Sequence, residues 1–199
     1  MTTTTEPCNV LILYFSRGGA TQQLADAIAE GVAQAGAEAL LRTVETDKDA
    51  ACSRDLTVST DDLATCDALI LGSPTRFGHM ASALQKFWES TSNHWLKGVL
   101  INKPGAVFTS TSSLHGGQES TLLSLALPLL HHGMLLTGVP YSEPSIHGRE
   151  AGGSPYGATL FNEDGKLHTN ERKTATALGK RIAQIALACR QTQFEDSHS

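Results

Sequence analysis

Three short segments of the chain gather residues able to hold an anion and a planar ring. The first, Ser16-Arg17-Gly18-Gly19-Ala20-Thr21, follows an apolar run and leads into a helical pattern. Its glycines let backbone N–H groups turn inward, and the start of a helix adds partial positive charge. Ser16 and Thr21 set a hydroxyl at each end of the turn. This suits a terminal phosphate monoester. No Lys follows as in G-x-x-x-x-G-K-[ST], and G-x-G-x-x-G is absent, which disfavours a nucleoside triphosphatase and a Rossmann dinucleotide site. Taken alone, the segment also reads as an ordinary glycine turn with a serine cap.

The second segment is Ser73-Pro74-Thr75-Arg76-Phe77-Gly78-His79. Pro74 makes Ser73 extended, and Gly78 permits a tight exit before the next helix. Thr75, Arg76 and Phe77 then offer a hydroxyl, a cation and an apolar ring, and an exposed aromatic there lines a planar ring system. The alternative is a polar loop with one buried Phe. The third segment runs from Thr109 to Glu119 (TSTSSLHGGQE), and its small hydroxyls and N–H groups suit the edge of a heteroaromatic ring. By itself it is also a plain low-complexity loop. All three in the correct order argue far more than any one.

The elements that must position these loops follow from periodicity. Residues 9–15 (NVLILYF) form an apolar run of the kind buried on both faces of a sheet. Leu24, Ala25, Ile28, Ala29 and Val32 recur at helical spacing over 20–35, and Gly36 is a plausible C-cap. Residues 37–44 read as a second strand, 45–60 as a polar loop, and 67–73 as a third strand, with Asp61 and Asp62 capping a short helix before it. A helix over 80–91 carries Leu84, Phe87 and Trp88 on one side. Strands over 105–110 and 134–139 flank a helix over 118–131, which Pro128 should kink or shorten because it lacks an N–H. An Ala-rich amphipathic helix over 171–190 closes the chain.

Helical crossovers between apolar strands imply an α/β fold with a parallel sheet and helices on both faces. Five strands in this rhythm fit a flavodoxin-like doubly wound sheet of order 2-1-3-4-5 better than a six-stranded Rossmann sheet. In such a sheet ligands collect at the carboxyl ends of the strands, where the three loops fall. The expected organisation is one domain over 9–190 between disordered tails at 1–8 and 191–199.

Composition narrows the function classes. The chain has 199 residues, 40% hydrophobic and 18% charged, with a formal net charge of −5. That supports a folded core and shows no basic stripe for nucleic acid. No apolar run approaches the roughly 20 residues of a membrane helix, and Met1 to Pro7 lack a signal pattern, so a cytoplasmic protein is expected. Cys8, Cys52, Cys66 and Cys189 are scattered, which favours incidental thiols over a zinc or disulfide site. His131 and His132 are adjacent with no third ligand spaced for a metal. Such a pair at a helix end also serves simply as a favourable dipole interaction, and Trp95 would ordinarily be packing.

The segments S-R-G-G-A-T, G-S-P-T-R-F-G-H-M, F-T-S-T-S-S-L-H-G-G-Q-E, H-H-G-M and G-G-S-P-Y-G-A together resemble the WrbA-type NAD(P)H:quinone oxidoreductases, FMN proteins of flavodoxin-like fold. The likeness runs from about Val10 to about Leu187. It implies that Ser16, Arg17, Gly18, Gly19, Ala20 and Thr21 wrap the FMN phosphate. It also implies that Thr75, Arg76, Phe77, Ser110, Thr111, Ser112, Leu114, His115 and Gly116 flank the isoalloxazine. His131 matches a catalytic histidine at the redox face that comes from a neighbouring subunit, and Trp95 matches a tryptophan of the quinone pocket. Members often carry Tyr where Gly18 stands, and the third loop is one residue longer here than in some of them.

The implied activity is two-electron, ping-pong reduction of a quinone by NADH or NADPH, the flavin doing the redox chemistry and the protein supplying placement and electrostatics. The alternatives are a flavodoxin-type electron carrier and a flavin-binding regulatory module without nicotinamide turnover. Carriers are usually acidic around the flavin, whereas these loops hold Arg17, Arg76 and His115. A homotetramer is expected from the resemblance, and Trp88, Trp95 and Leu96 offer apolar surface for it. A bare five-stranded sheet of this type needs roughly 140–150 residues. The surplus falls at 45–60, 91–103 and above all 140–168, a turn-rich stretch expected to cover the flavin pocket or a subunit contact.

Overall fold

A computed structural model describes residues 6–45, 54–147 and 153–191. Most of the expected tails, residues 1–5 and 192–199, and the centre of the polar loop, residues 46–53, lie outside the described residues.

The apolar runs become strands because both of their faces are covered. In β1 (Asn9–Tyr14), Val10, Ile12 and Tyr14 face α1 (Ala20–Gln34) and α6 (Thr169–Gln191), packing with Leu24, Ile28, Leu178 and Ile182. Leu11 and Leu13 point the other way, toward Leu84 and Trp88 of α3 (Ser82–Glu89) and Leu122, Leu125 and Leu129 of α5 (Gln118–His131). Alternation with a period of two therefore feeds two separate cores from one continuous apolar run. The first core is tight. A Cβ on Gly31 would sit 2.0 Å from the Thr176 carbonyl oxygen, and one on Gly179 would sit 2.1 Å from that of Ile28. Only glycine lets α1 and α6 approach this closely.

All strand pairs among the described residues are parallel. β2 (Glu38–Thr43), β1, β4 (Ala68–Pro74) and β5 (Pro104–Thr111) lie in that order, as expected for positions 2-1-3-4 of the flavodoxin-like sheet. Two features differ from the five-stranded expectation. A two-residue strand, β3 (Leu56–Thr57), adds to the edge beside β2, within what was expected to be loop. The fifth position is also split. Instead of one strand over 134–139, β6 (Leu135–Leu136) pairs with Pro104 and Gly105, and β7 (Ala158–Phe161) pairs with Phe108 to Thr111. After Thr137 donates to Gly105 the chain turns away, and Pro140 has no N–H for a ladder. It passes through a short 3-10 turn over Pro144–His147, where Thr174 of α6 donates to Ser145 at 2.8 Å. The 140–168 stretch, expected to cover the flavin pocket or a subunit contact, also returns half a strand to the sheet.

Three smaller expectations also change. The cap of α2 (Thr60–Thr65) is Ser59, which accepts from the Asp62 N–H while Asp62 accepts from the Ser59 N–H, so Asp61 and Asp62 lie inside the first turn. Helix α5 continues through Pro128 to His131 without being shortened. Trp88 is buried against Phe87 and His132 rather than offered to a partner. Residues 91–103 include α4 (Ser92–Leu96).

Candidate active site

Strands β1, β4 and β5 end side by side, which brings the three loops to one edge of the sheet. In the first loop Ser16 is buried and its hydroxyl accepts from the Gly19 N–H at 3.2 Å. Gly19 holds the left-handed conformation (φ +86) that starts α1. Among the described residues, the N–H groups of Arg17, Gly18, Ala20 and Thr21 find no protein acceptor. Helix starts leave such donors free for an anion. A Cβ at Gly18 or Gly19 would meet nothing within 4 Å, so the turn is also open.

A hydroxyl layer ties this turn to the third loop. Thr21 Oγ1 and Ser110 Oγ lie 2.9 Å apart, Thr111 Oγ1 donates to the Ser113 carbonyl, and Gln118 Nε2 donates to Thr111 Oγ1 at 2.9 Å. Ser110 and Thr111 belong to the buried end of β5, whereas Ser112, Leu114 and His115 are exposed above it.

The second loop is a tight hairpin. Arg76 and His79 exchange backbone hydrogen bonds, and Phe77 (φ +52) and Gly78 (φ +81) fill the two turn positions that need positive φ. Phe77 pays for that geometry in strain and stands fully exposed, not buried. Thr75 Oγ1 accepts from the Gly78 N–H and from Thr121 Oγ1, and Arg76 keeps one bond to the Thr75 carbonyl. The segment leading into α3 is held by two serine hydroxyls. Ser73 Oγ accepts from Ala81 N–H at 2.8 Å and Ser124 Oγ from Met80 N–H at 3.1 Å.

Beside the first and second loops, with no residue of the third in its wall, opens a cleft of about 1030 Å³. Phe15, Met80, Ala81, Trp88, Leu127 and Pro128 give it apolar walls, and its ionisable lining is Arg17, Arg76, His79 and His131. A pocket of this size accommodates a planar tricyclic ring with a second ring stacked on it. The unpartnered donors, the open glycine turn and the cleft together fit FMN.

His131 lines this cleft, whereas Trp95 lies outside it. Helix α5 begins at the third loop and ends at His131, about 20 Å away at 1.5 Å per residue. There Trp95 of α4 donates its indole N–H to the His131 carbonyl at 2.7 Å. His132, the buried member of the pair, faces Thr91 Oγ1 across 3.1 Å. Thr91 already donates to the Trp88 carbonyl, so the His132 Nε2 carries the proton. Burial, then the neighbouring His131 and His94, depress the His132 pKa. A smaller pocket of about 360 Å³ is lined by Trp88, Trp95, His131 and His132.

Sequence reasoning missed the contributions of Gln118, Thr121 and Ser124, which hold the second and third loops from inside α5. The polar residues that interrupt an otherwise apolar helix face were the available signal. It also missed Gln23, whose amide donates to the Gly165 carbonyl at 3.0 Å and accepts from the Leu167 N–H at 3.2 Å. Among the described residues no group of three or more His, Cys, Asp or Glu could hold a metal ion, and no helix is long and apolar enough to cross a membrane.

Comparison with known proteins agrees with this geometry. The model of the NADPH-dependent FMN reductase family matches residues 9–142. A protein of Gluconacetobacter diazotrophicus named NAD(P)H dehydrogenase (quinone) is 44% identical, over 89% of this chain and 96% of its own. A protein of the same name from Chromohalobacter salexigens is also 44% identical, with the same coverage. Among solved structures, a WrbA-like flavodoxin from Agrobacterium tumefaciens superposes with a TM-score of 0.71 at 26% identity, covering 91% of this chain and 98% of that one. With a family match over most of the sheet and relatives 44% identical over nearly their whole length, the chain belongs to the NADPH-dependent FMN reductase family.

Proposed function

We propose that the protein is an FMN-dependent NAD(P)H:quinone oxidoreductase working by a ping-pong cycle. The observation that carries this reading is the cleft beside the first and second loops, apolar in its walls and free of carboxylates. A shuttle protein needs only a flavin edge, whereas an enzyme must admit a second ring beside the flavin. Bound FMN supplies the chemistry, taking hydride from the nicotinamide and passing two electrons to the quinone. The turn from Ser16 to Thr21 wraps the phosphate with its free N–H groups. Thr75, Arg76 and Phe77, with Ser110, Thr111, Ser112, Leu114, His115 and Gly116, flank the ring. N–H groups of the third loop favour negative charge that develops on the ring edge.

In this reading His131, which borders the cleft of its own chain from the end of α5, also serves the redox face of a neighbouring copy, and Trp95, bonded to the His131 carbonyl, lines the quinone pocket. Exposed Leu123, Leu127 and Leu130 make an apolar stripe along α5, and Trp95 and Leu96 extend it. Such a stripe supports assembly, and the state proposed is a homotetramer. Residues 9–190 act as one domain, and the compartment is the cytoplasm, in keeping with the free thiols of Cys8, Cys66 and Cys189.

The test is the visible spectrum of the FMN-treated protein. The flavin band should bleach on adding NADH or NADPH and return on adding benzoquinone. A protein that binds FMN but is inert to both overturns the enzymatic reading. Stable accumulation of a one-electron-reduced state on titration supports an electron carrier instead. Sedimentation showing only monomers with full activity contradicts the shared site.

A further inference from the structure

Of the six residues in the first turn, Arg17 alone lines the cleft. The backbone of the turn offers its N–H groups on one side while this side chain reaches into the space beside the flavin loops. Its neighbour Gly18 leaves the way clear, since a Cβ there would meet nothing within 4 Å. Arg17 makes no hydrogen bond or ion pair with any described residue, and the Arg76 guanidinium bonds only to the neighbouring Thr75 carbonyl. Apart from Arg181, the other described arginines are engaged. Arg42 faces Asp62, Arg54 faces Asp26 and Asp55, Arg172 faces Glu30, and Arg190 faces Asp67.

The cleft is therefore basic within an acidic chain. Its ionisable lining is two arginines and two histidines, although the whole protein carries a formal charge of −5. A concave site lined by one sign of charge concentrates ligands of the opposite sign. A guanidinium without a protein partner presents a planar fork matched to carboxylate, sulfonate or phosphate oxygens. The apolar walls formed by Phe15, Met80, Trp88 and Leu127 meanwhile receive an uncharged ring.

We propose that Arg17 is a specificity determinant of this cleft, selecting substrates in which an aromatic ring carries an anionic group. This rests on the oxidoreductase reading given above and adds the charge of the substrate to it. The anion has two possible sources, the phosphates of the dinucleotide donor or an acidic substituent on the quinone acceptor, and both present the same oxygens to the guanidinium.

The experiment compares FMN-loaded wild type, Arg17→Gln and Arg17→Lys in separate half-reactions. For the acceptor, reoxidation is followed with a naphthoquinone sulfonate and with its unsulfonated parent. For the donor, flavin reduction is followed with NADH and with the uncharged 1-benzyl-1,4-dihydronicotinamide. Binding of anthraquinone-2-sulfonate to the oxidised holoenzyme gives a readout that needs no turnover. Losing one charge-assisted contact should cut the anionic-to-neutral ratio of kcat/KM on the order of tenfold in one arm of Arg17→Gln. Arg17→Lys should recover part of it, and rising salt should weaken the wild-type preference. The arm that responds identifies the source of the anion. Unchanged ratios in both arms overturn the proposal while leaving the oxidoreductase reading intact. Loss of FMN affinity in Arg17→Gln, with unchanged ratios in refilled enzyme, assigns the side chain to the cofactor and also overturns it. A wild-type protein that takes up no FMN defeats the underlying reading instead.

Discussion

The Trp95 indole N–H reaches the main-chain carbonyl of His131 at 2.7 Å, so α4 holds the free end of α5 through one hydrogen bond. Carbonyls in the last turn of a helix have no partner within it, and this one is satisfied from outside. Trp95→Phe keeps an aromatic ring and removes the donor. The expected loss is about 1 kcal/mol of stability in urea unfolding. In half-reaction kinetics, quinone reduction should suffer more than reduction of the flavin by NADH.

Glu171 is fully buried and accepts two backbone N–H groups, from Phe161 at 2.6 Å and from His168 at 3.0 Å. It thereby joins the end of β7 to the start of α6. Glu171→Gln turns one acceptor into a donor facing another donor, and should cost about 2–3 kcal/mol in denaturant unfolding. The Gln23 amide links the same segment to α1. FMN should therefore dissociate faster from the variant, as followed by the rise of flavin fluorescence.

Asp55 supplies a pH signature. Burial alone would raise its carboxyl, but the Arg54 guanidinium at 2.9 Å and the Tyr14 hydroxyl outweigh that and hold it below its ordinary value. A carboxylate depressed in the folded state stabilises the fold above its unfolded pKa, about 3.9 for Asp, and the benefit vanishes as pH falls through the folded value. Asp55→Asn should be less stable than wild type near neutrality, with the gap closing below about pH 4. Chemical denaturation at several pH values measures it.

Gly31→Ala sets helix propensity against packing. Alanine favours a helix over glycine by about 1 kcal/mol. The new methyl would stand 2.0 Å from the Thr176 carbonyl oxygen, a backbone atom that moves only with α6. Overpacking costs typically 1–3 kcal/mol and occasionally more, so the substitution should lower Tm despite its better propensity.

The parts of the fold that were legible in the sequence are those where one local rule dominates. The Val10–Tyr14 run could only be a strand covered on both sides, and the Ser-Arg-Gly-Gly turn could only lead into a helix. The fifth strand was not legible, because Met134 to Val139 is apolar enough for a strand while Pro140 and a remote segment decide how much of it pairs. Ala158 to Phe161 is four residues in a turn-rich stretch, and only the free edge of β5 explains its state. The site shows the same division. Its loops announced themselves by glycine and hydroxyl content, whereas the place of His131 in the cleft wall, a helix length from the third loop, follows from the length of α5, which no motif encodes.

The split fifth strand sets an order of events during synthesis. When residue 147 has left the ribosome, the amino-terminal end of β5 already has Leu135 and Leu136 beside it, but Phe108 to Thr111 still present an open edge. That edge borders the third loop. It closes only when Ala158 to Phe161 emerge, and Glu171 fastens the closure ten residues later. The end of the sheet that carries the three loops is thus finished last, and a nascent chain stalled between these points exposes there a bare strand edge open to pairing with another chain.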